Sequence, residues 1–237
     1  MRKTLLLLLL PVFCFSQDIL ENYPAGQTDY IGGNVQFYKD FQEILKAKNL
    51  KPCENKTENL TFKLVVYPDK TVKYVKDEDP KSVTDNKCTF DLTREVLKYL
   101  KAWNPATVNE KPVAAVTSFL IIPNELFGEL PANYDPIKDL KMATYEGGIN
   151  AYRKKVFQSI NLSRFTFDGT FRLEVTFVVE KDGKISNIQL AQSSGLKEFD
   201  DMIINSIKSI RNKWTPGTIH NIPIRSRFRL PLAFSME

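Results

Sequence analysis

The sequence is poor in the residues from which most catalytic and metal sites are built. Its 237 residues include one histidine, His220, and three cysteines. A single histidine argues against a histidine metal cluster or a Ser/His/Asp triad, and three cysteines cannot supply a four-cysteine zinc site. We therefore predict a non-enzyme with no catalytic residues, no metal and no cofactor, in which His220 is a solvated turn residue.

Long apolar runs and a strong charge of one sign are also missing. After the N-terminal segment no run of about 20 apolar residues occurs, so the sequence predicts no further membrane span. The 33 basic and 28 acidic residues leave a net charge of +5, which is too small for a nucleic-acid-binding stripe. A hydrophobic fraction of 43% and a charged fraction of 26% are typical of a globular protein.

Residues 1–16 have the pattern of a secretory signal peptide. Two basic residues precede an apolar stretch (residues 5–15), and Cys14 and Ser16 are the small residues of a cleavage site. Cleavage after Ser16 would lower the net charge from +5 to +3 and export the chain. A lipoprotein acylated at Cys14 is an alternative, although the large Phe13 fits that pattern poorly. A short uncleaved anchor or a core strand is another.

Cys53 and Cys88 would be the two cysteines of the exported chain. An oxidising compartment favours a disulfide between them. The bond would close a loop of about 35 residues and stabilise the protein by roughly 3–4 kcal/mol. Two buried free thiols are the alternative.

Two motifs occur twice in the chain. Tyr30-Ile31-Gly32-Gly33 recurs as Tyr145-Glu146-Gly147-Gly148, and each copy precedes a segment with apolar residues at helical spacing. Trp103-Asn104-Pro105-Ala106 recurs as Trp214-Thr215-Pro216-Gly217, a pair that contains both tryptophans of the chain. We predict structural roles for six of these residues, the tryptophans as core residues: Trp103, Pro105, Trp214, Pro216, Gly147 and Gly148.

The segments between these motifs predict the same order of elements twice. Strands are predicted at residues 60–67, 72–75, 173–180 and 185–190, and helices at residues 90–101 and 196–211. The chain then divides into a unit at residues 24–125, a linker at residues 126–143 and a second unit at residues 144–237. Each unit is predicted to be α+β, a three-stranded antiparallel sheet packed on helices.

The second unit resembles the C-terminal domain of TonB, the periplasmic energy-transducing protein of Gram-negative envelopes. The resemblance is carried, in order, by Tyr145-Glu146-Gly147-Gly148, the strand pair around residues 178–185, Ser193-Ser194-Gly195, Phe199-Asp200, Trp214-Thr215-Pro216-Gly217 and the closing strand from Ile224. The first unit looks like a diverged copy, since it lacks a glycine in its hairpin and carries the two cysteines.

The resemblance implies a binding mode in which the last strand, residues 224–232, pairs with an extended segment of a partner, usually an outer-membrane transporter. Arginines on the exposed face of this strand can meet carboxylates of the partner, or they can simply form a solvated sheet surface. The expected edge comprises three exposed arginines and two residues of the opposite face: Arg225, Arg227, Arg229, Phe228 and Leu230.

The first unit is not expected to bind in this way. Its corresponding residues, Ala114, Val116 and Ser118, carry no charge. The net charge is −1 for residues 17–125 and +4 for residues 126–237, so the basic character is confined to the second unit and the linker.

The sequence therefore predicts a periplasmic protein of a Gram-negative bacterium, linked to TonB-dependent transmembrane transport. Its expected partner is an outer-membrane TonB-dependent transporter or another envelope protein. Energy transduction is not inferred, because the resemblance does not extend to the uncleaved membrane helix and Pro-rich spacer of TonB. The alternative is a structural or peptidoglycan-associated envelope protein whose two units pack together and hide their edges. A secreted hydrolase is a distant third hypothesis.

Overall fold

The computed structural model describes residues 19–76, 80–165, 169–211 and 214–236, so the predicted signal peptide at residues 1–16 lies outside the described residues. The first elements are α1 (Gly33–Ala47), β1 (Leu60–Val66), β2 (Val72–Tyr74), α2 (Pro80–Asp85), α3 (Lys87–Leu97), β3 (Ala106–Val108), β4 (Lys111–Val113), β5 (Ala115–Ile121) and α4 (Pro123–Leu126). The later ones are β6 (Thr144–Tyr145), α5 (Gly148–Ser159), β7 (Gly169–Val179), β8 (Ile185–Leu190), α6 (Lys197–Ser209), β9 (Trp214–Thr215), β10 (Gly217–Ile219), β11 (Ile222–Ile224) and β12 (Ser226–Met236). None of the helices in these segments has the length and apolar character needed to cross a membrane.

Two three-stranded antiparallel sheets organise the fold. The strand order is β2-β1-β5 in the first sheet and β8-β7-β12 in the second sheet. In each sheet the earliest strand is central, its hairpin partner lies on one side, and the last long strand lies on the other. The predicted α+β class with small antiparallel sheets is confirmed.

Each sheet packs against helices around its own hydrophobic core. In the first core, Phe37 of α1 stacks on Phe119 of β5 with ring centroids 3.8 Å apart. In the second core, Val156 of α5 and Ile203 and Ile207 of α6 are fully buried. Apolar residues recur every three or four positions on these helices, so one stripe of each helix faces the core.

The two glycine pairs begin helices α1 and α5. Gly32 and Gly33 have φ angles of 85° and 69°, and Gly147 and Gly148 have φ angles of 82° and 83°. Glycine adopts this left-handed conformation without steric cost, whereas other residues rarely do. Two such residues in succession turn the chain into each helix, which explains why both copies of the motif contain Gly-Gly.

The hairpin turns of the two sheets have the same hydrogen-bond pattern. The Gly183 amide donates to the Glu180 carbonyl at 2.9 Å, and the Lys70 amide donates to the Tyr67 carbonyl at 2.9 Å. Both turn residues have positive φ, 80° for Gly183 and 63° for Lys70. The first hairpin therefore forms without glycine because Lys70 adopts the left-handed conformation.

Element boundaries differ from the prediction in several places. Helix α2 was not predicted, and α3 (Lys87–Leu97) begins three residues before the predicted range 90–101 and ends four residues before the end of that range. A short hairpin follows each tryptophan, β3–β4 in one case and β10–β11 in the other. Because Ile224 pairs with Gly217 in the second of these hairpins, the last strand begins at Ser226 rather than at Ile224.

Polar and charged side chains connect the part of the chain that carries the first sheet to the part that carries the second. Lys81 Nζ of α2 lies 3.8 Å from Glu180 Oε2. Nδ1 of His220, in the β10–β11 turn, lies 2.5 Å from Oε1 of Glu125, and the Tyr134 hydroxyl donates to Oε2 of Glu125 at 2.6 Å. The expectation of a solvated His220 is therefore wrong, since its ring contacts the Glu125 carboxylate of α4 and its side chain is only 23% exposed.

Candidate partner-binding edge

Strand β12 is an outer strand of the second sheet. It pairs with β7 over eleven residues without a register shift, from Ser226 opposite Val179 to Met236 opposite Gly169. Within the described segments, no strand pairs with the other side of β12. As far as the described residues show, its outer side is therefore an open edge.

A hydrogen bond on the far side of the sheet identifies the backbone groups that face this edge. The Ala191 amide donates to the Glu174 carbonyl at 2.8 Å, so the backbone groups of Glu174 face β8. In an antiparallel ladder, two residues directly opposite each other direct their backbone groups either towards each other or both away from each other, and the two cases alternate along the strands. Pro231 lies opposite Glu174, so its backbone groups point away from β7, to the open edge. The backbone groups of Arg227 and Arg229 point the same way, because they are four and two residues from Pro231. Since proline has no amide hydrogen, this is the side on which it leaves the β7–β12 ladder intact.

Side chains along β12 alternate between the core and the outer face. Leu230 is fully buried, and the Phe228 ring stacks on Phe177 with centroids 5.5 Å apart. Phe228 and Leu230 also direct their backbone groups to β7, so neither reaches the open edge. Of the five residues expected at this edge, Arg227 and Arg229 are the two that are exposed.

The outer face of the second sheet is polar around these arginines. It contains a shallow cavity of about 390 Å³ whose lining includes Thr176, Gln189, Arg227 and Arg229. Arg229 Nη1 lies 3.2 Å from Glu174 Oε1, and the arginine side chain is 74% exposed. Exposed ion pairs contribute little to stability, so a carboxylate of a partner can compete with Glu174 for this arginine.

Arg225 does not lie with the other two arginines, contrary to the prediction. It precedes β12, its side chain is 9% exposed, and its Nε and Nη2 donate to the two carboxylate oxygens of Glu180 at 2.8 and 3.0 Å. Burial alone would raise the pKa of Glu180, but hydrogen bonds from Arg225 and Ser186 hold this pKa below its usual range. Arg225 therefore holds the start of β12 against the end of β7, and its charge is already engaged.

We expect Arg225→Gln to lower the free energy of unfolding by about 1–3 kcal/mol at pH 7, the usual range for hydrogen bonds to charged groups. The pKa of Glu180 is lowered in the folded state. Its contribution is therefore present above the ordinary glutamate pKa of about 4.3 and is lost as the pH falls through the folded value. Urea unfolding at pH 7 and at pH 3 measures this loss, and the gap between wild type and variant should shrink at pH 3.

Arg229→Gln is the matched control, because it removes an exposed arginine–glutamate ion pair four residues further along the chain, within β12. We expect a change within about 0.5 kcal/mol at either pH. An Arg225→Gln effect as small as that of Arg229→Gln would show that the Glu180 pair does not stabilise the start of β12.

The other outer strand of the second sheet, β8, is a poorer edge. It has six residues, Asn187 within it has a φ of 48°, and its register with β7 shifts between Thr176 and Val178. Short and bulged outer strands resist pairing with another strand. Strand addition to the second sheet is therefore favoured at β12.

The recurrent tryptophans lie in the two cores. Trp103 and Trp214 are 2% and 7% exposed. Trp103 pairs with Tyr30, and Trp214 pairs with Tyr145, so the Trp-Pro motif contacts the Gly-Gly motif in both copies. Pro105 and Pro216 each lie between a tryptophan and the short hairpin that follows it.

Cys53 and Cys88 form a disulfide, which confirms that prediction. The Glu58 carboxylate lies close to the two sulfur atoms, and its Oε2 accepts hydrogen bonds from the Thr89 amide and hydroxyl at 2.8 and 2.9 Å. The disulfide and the Glu58–Thr89 hydrogen bonds together join the start of α3 to the segment before β1.

The sequence interpretation missed the role of Pro231, although a signal was present. Proline inside a predicted strand indicates an outer strand whose missing donor faces away from the sheet. No sequence signal identified Glu174 and Glu180 as the partners of Arg229 and Arg225. The pairing register of β7 with β12 places Glu174 beside Arg229, and the approach of β11 places Glu180 beside Arg225.

Residues 170–236 match the family model of the Gram-negative bacterial TonB protein C-terminal. The match spans β7, β8, α6 and β12 and leaves out α5 and the first sheet. Members of this family are non-enzymatic periplasmic domains that interact with envelope proteins in transport energy transduction. The searches of curated proteins and of solved structures found no significant match. The second sheet and its helix α6 are therefore similar to the C-terminal domain of TonB, in agreement with the resemblance read from the sequence.

Proposed function

We propose that this chain is a non-enzymatic periplasmic TonB-like protein that binds an outer-membrane TonB-dependent transporter or another envelope protein by strand addition along β12. The observation that carries the proposal is the open edge of this long, regular strand. Unpaired backbone groups on an edge can form a ladder with an extended peptide. The family match includes the whole of β12, which supports the same strand.

The added segment is expected to lie beside Arg227 and Arg229. Both residues offer an amide and a carbonyl on the open edge, whereas a strand placed beside Pro231 would lose one hydrogen bond. Side chains of the added strand that share the outer face would neighbour the two guanidinium groups, and opposite charges on neighbouring strands attract. We therefore expect an extended segment with acidic residues on this face.

We also propose that residues 24–125 and 144–237 are two related units joined by a linker at residues 126–143. The two sheets have the same strand order, with the hairpin partner and the last strand on opposite sides of the central strand. Both units begin with a positive-φ Gly-Gly pair and end with a short hairpin and a long strand.

One pair of contacts supports this relationship in detail. The Gln27 side-chain amide exchanges two hydrogen bonds with the Thr107 backbone, at 2.8 and 2.7 Å. The Lys141 backbone exchanges two hydrogen bonds with the Thr218 backbone, at 2.8 and 2.9 Å. The side-chain amide of Gln27 thus binds Thr107 of the first unit in the way that the linker peptide group at Lys141 binds Thr218 of the second unit.

The proposed location is the periplasm of a Gram-negative bacterium, reached by the signal peptide at residues 1–16. The Cys53–Cys88 disulfide supports this location, because disulfides persist in oxidising compartments. A structural or peptidoglycan-associated role remains the alternative hypothesis. That role expects hidden edges, whereas β12 is unpaired on its outer side throughout the described residues, so we favour partner binding.

Arg227→Pro tests the proposal. This substitution removes an amide donor from the open edge and leaves the β7–β12 ladder intact. Pro231, four residues further along the strand, already does the same. We expect immobilised Arg227→Pro protein to capture at least about tenfold less outer-membrane transporter from envelope extracts than wild type, since loss of a ladder donor and a steric block act together. Quantitative mass spectrometry of the captured proteins measures the difference.

Arg227→Ala is the control, because it removes the charge and keeps the amide donor. Its capture should fall less than that of Arg227→Pro. Equal capture by wild type and a correctly folded Arg227→Pro protein would rule out strand addition at β12. Co-sedimentation of both proteins with purified peptidoglycan would instead support the alternative hypothesis.

A further inference from the structure

The outer edge of the first sheet carries a short strand that belongs to the chain itself. Residues 19–22, which we call the N-terminal strap, run beside β5. The Leu20 amide donates to the Ala114 carbonyl at 2.9 Å, and the Val116 amide donates to the Leu20 carbonyl at 2.9 Å. Leu20 thus bonds to the residues on either side of Ala115, which is the hydrogen-bond pattern of a parallel strand pair. The strap is therefore bound as an added strand.

The next part of this edge faces a groove. The Val75 amide donates to the Lys63 carbonyl at 3.0 Å, so Lys63 faces β2 and its opposite residue, Ser118, directs its backbone groups outward. A groove of about 600 Å³ opens there, and its lining includes Glu21, Asp29, Lys63, Val116, Thr117 and Ser118. Further along β5, beyond Ser118, the Leu120 carbonyl is already occupied, because it accepts a hydrogen bond from the Tyr38 hydroxyl at 2.9 Å. The edge available to a ligand therefore runs from Ala114 to Ser118.

The strap is held loosely on this edge. Leu20 makes two backbone hydrogen bonds, Ile19 is 46% exposed, and Glu21 and Asn22 are exposed. The next firm attachment is Tyr23, which packs on the first core and donates its hydroxyl hydrogen to the Asn104 carbonyl at 2.9 Å. The strap can therefore leave β5 while Tyr23 keeps its place.

We propose that the outer edge of β5 is a second binding site for an extended peptide, which runs parallel to β5, and that the strap is its displaceable intramolecular ligand. The strap defines the chemistry of the peptide, an aliphatic residue beside Ala115 followed by an acidic and a polar residue. Glu21 and Lys63 line the same groove, so a carboxylate at the second position is matched in charge. Asp29 is the other acidic residue of the groove, and its carboxylate accepts a hydrogen bond from the Thr117 hydroxyl.

Leu20→Pro in the full chain opens this site. The substitution removes the amide that binds Ala114 and the leucine side chain, and so weakens the strap on β5. The probe is a fluorescein-labelled peptide with the sequence of residues 17–23, Gln-Asp-Ile-Leu-Glu-Asn-Tyr. By fluorescence anisotropy we expect at least tenfold tighter binding of the probe to the Leu20→Pro protein than to wild type.

Two further variants locate the probe. Ile19→Pro is the matched control, since the amide of residue 19 faces away from β5, and it should bind the probe as weakly as wild type. Adding Val116→Pro to Leu20→Pro removes the edge donor without breaking the β1–β5 ladder and should abolish binding. Circular dichroism and the fluorescence of Trp103, which lies in the first core, verify that the first sheet of each variant is folded.

Weak binding of the probe to a folded Leu20→Pro protein, equal to that of wild type, would overturn the proposal. Binding that survives Val116→Pro would place the probe elsewhere and would also overturn it. Because β12 belongs to the other sheet, loss of partner capture by Arg227→Pro leaves these measurements unchanged, and the two sites are tested separately.

Discussion

Replacing Cys53 and Cys88 together with alanine is expected to lower the free energy of unfolding by about 4 kcal/mol. The disulfide closes a loop of 35 residues, and chain-entropy arguments give this magnitude for the constraint that it places on the unfolded chain. Alanine avoids a new polar group at Cys53, which is 4% exposed. Hydrogen bonds from Thr89 to Glu58 join the same two segments, so the variant should still fold.

The two tryptophans allow this effect to be located. Trp103 lies in the first core and Trp214 in the second, so a Trp214→Phe background reports the first core and a Trp103→Phe background reports the second. Urea unfolding followed by fluorescence, with and without dithiothreitol, compares oxidised and reduced forms of each background. The midpoint should fall only for the Trp103 signal. Equal shifts of both signals would show that the two cores unfold together, against the proposed division into two units.

Gly183→Ala is expected to lower the free energy of unfolding by about 3 kcal/mol or more. Gly183 has a φ of 80°, and a Cβ atom there would lie 2.5 Å from the carbonyl oxygen of Trp214. The left-handed conformation costs alanine roughly 1–2 kcal/mol. Relief of the clash requires the β7–β8 turn or the Trp214 backbone to move, and Trp214 pairs with Tyr145. Urea unfolding at pH 7 measures the loss.

Gly195→Ala separates the clash from the backbone strain. Gly195 has a φ of 87°, and a Cβ atom there would meet nothing within 4 Å. We expect a loss of about 1–2 kcal/mol, so the difference between the two variants measures the cost of the contact with Trp214. Equal losses would indicate that the turn moves away from Trp214 at no cost.

Local patterns predicted most of the secondary structure. The apolar stripes of α1 and α6 and the turn at Gly183 depend on residues within a few positions of one another, so the sequence contains the information needed to recognise them. The recurrence of the Gly-Gly motif has a local cause, the positive φ of the glycines. The recurrence of the Trp-Pro motif is explained by a contact between the two motifs, since Tyr30 pairs with Trp103.

The candidate edge was predictable only in part. Alternation along β12 placed Arg227 and Arg229 outside and Leu230 inside, because side chains of a strand point alternately to its two faces. The same alternation failed at Arg225, since β11 ends at Ile224 and the chain changes direction there. The carboxylate that engages Arg225 is 45 residues away in the sequence, so no local pattern could have identified it.

The sequence by itself determined most of the long helices and strands, many of the core positions, and the last strand of each proposed unit. Only the tertiary structure decided which last strand is open. Leu20 occupies the edge of β5, whereas the linker before Lys141 runs towards the first core, where Tyr134 packs on Tyr38 with ring centroids 5.0 Å apart. The physical reason is that a strand edge forms its hydrogen bonds with backbone groups, which every residue carries. Side-chain patterns in the sequence therefore do not show which segment covers an edge.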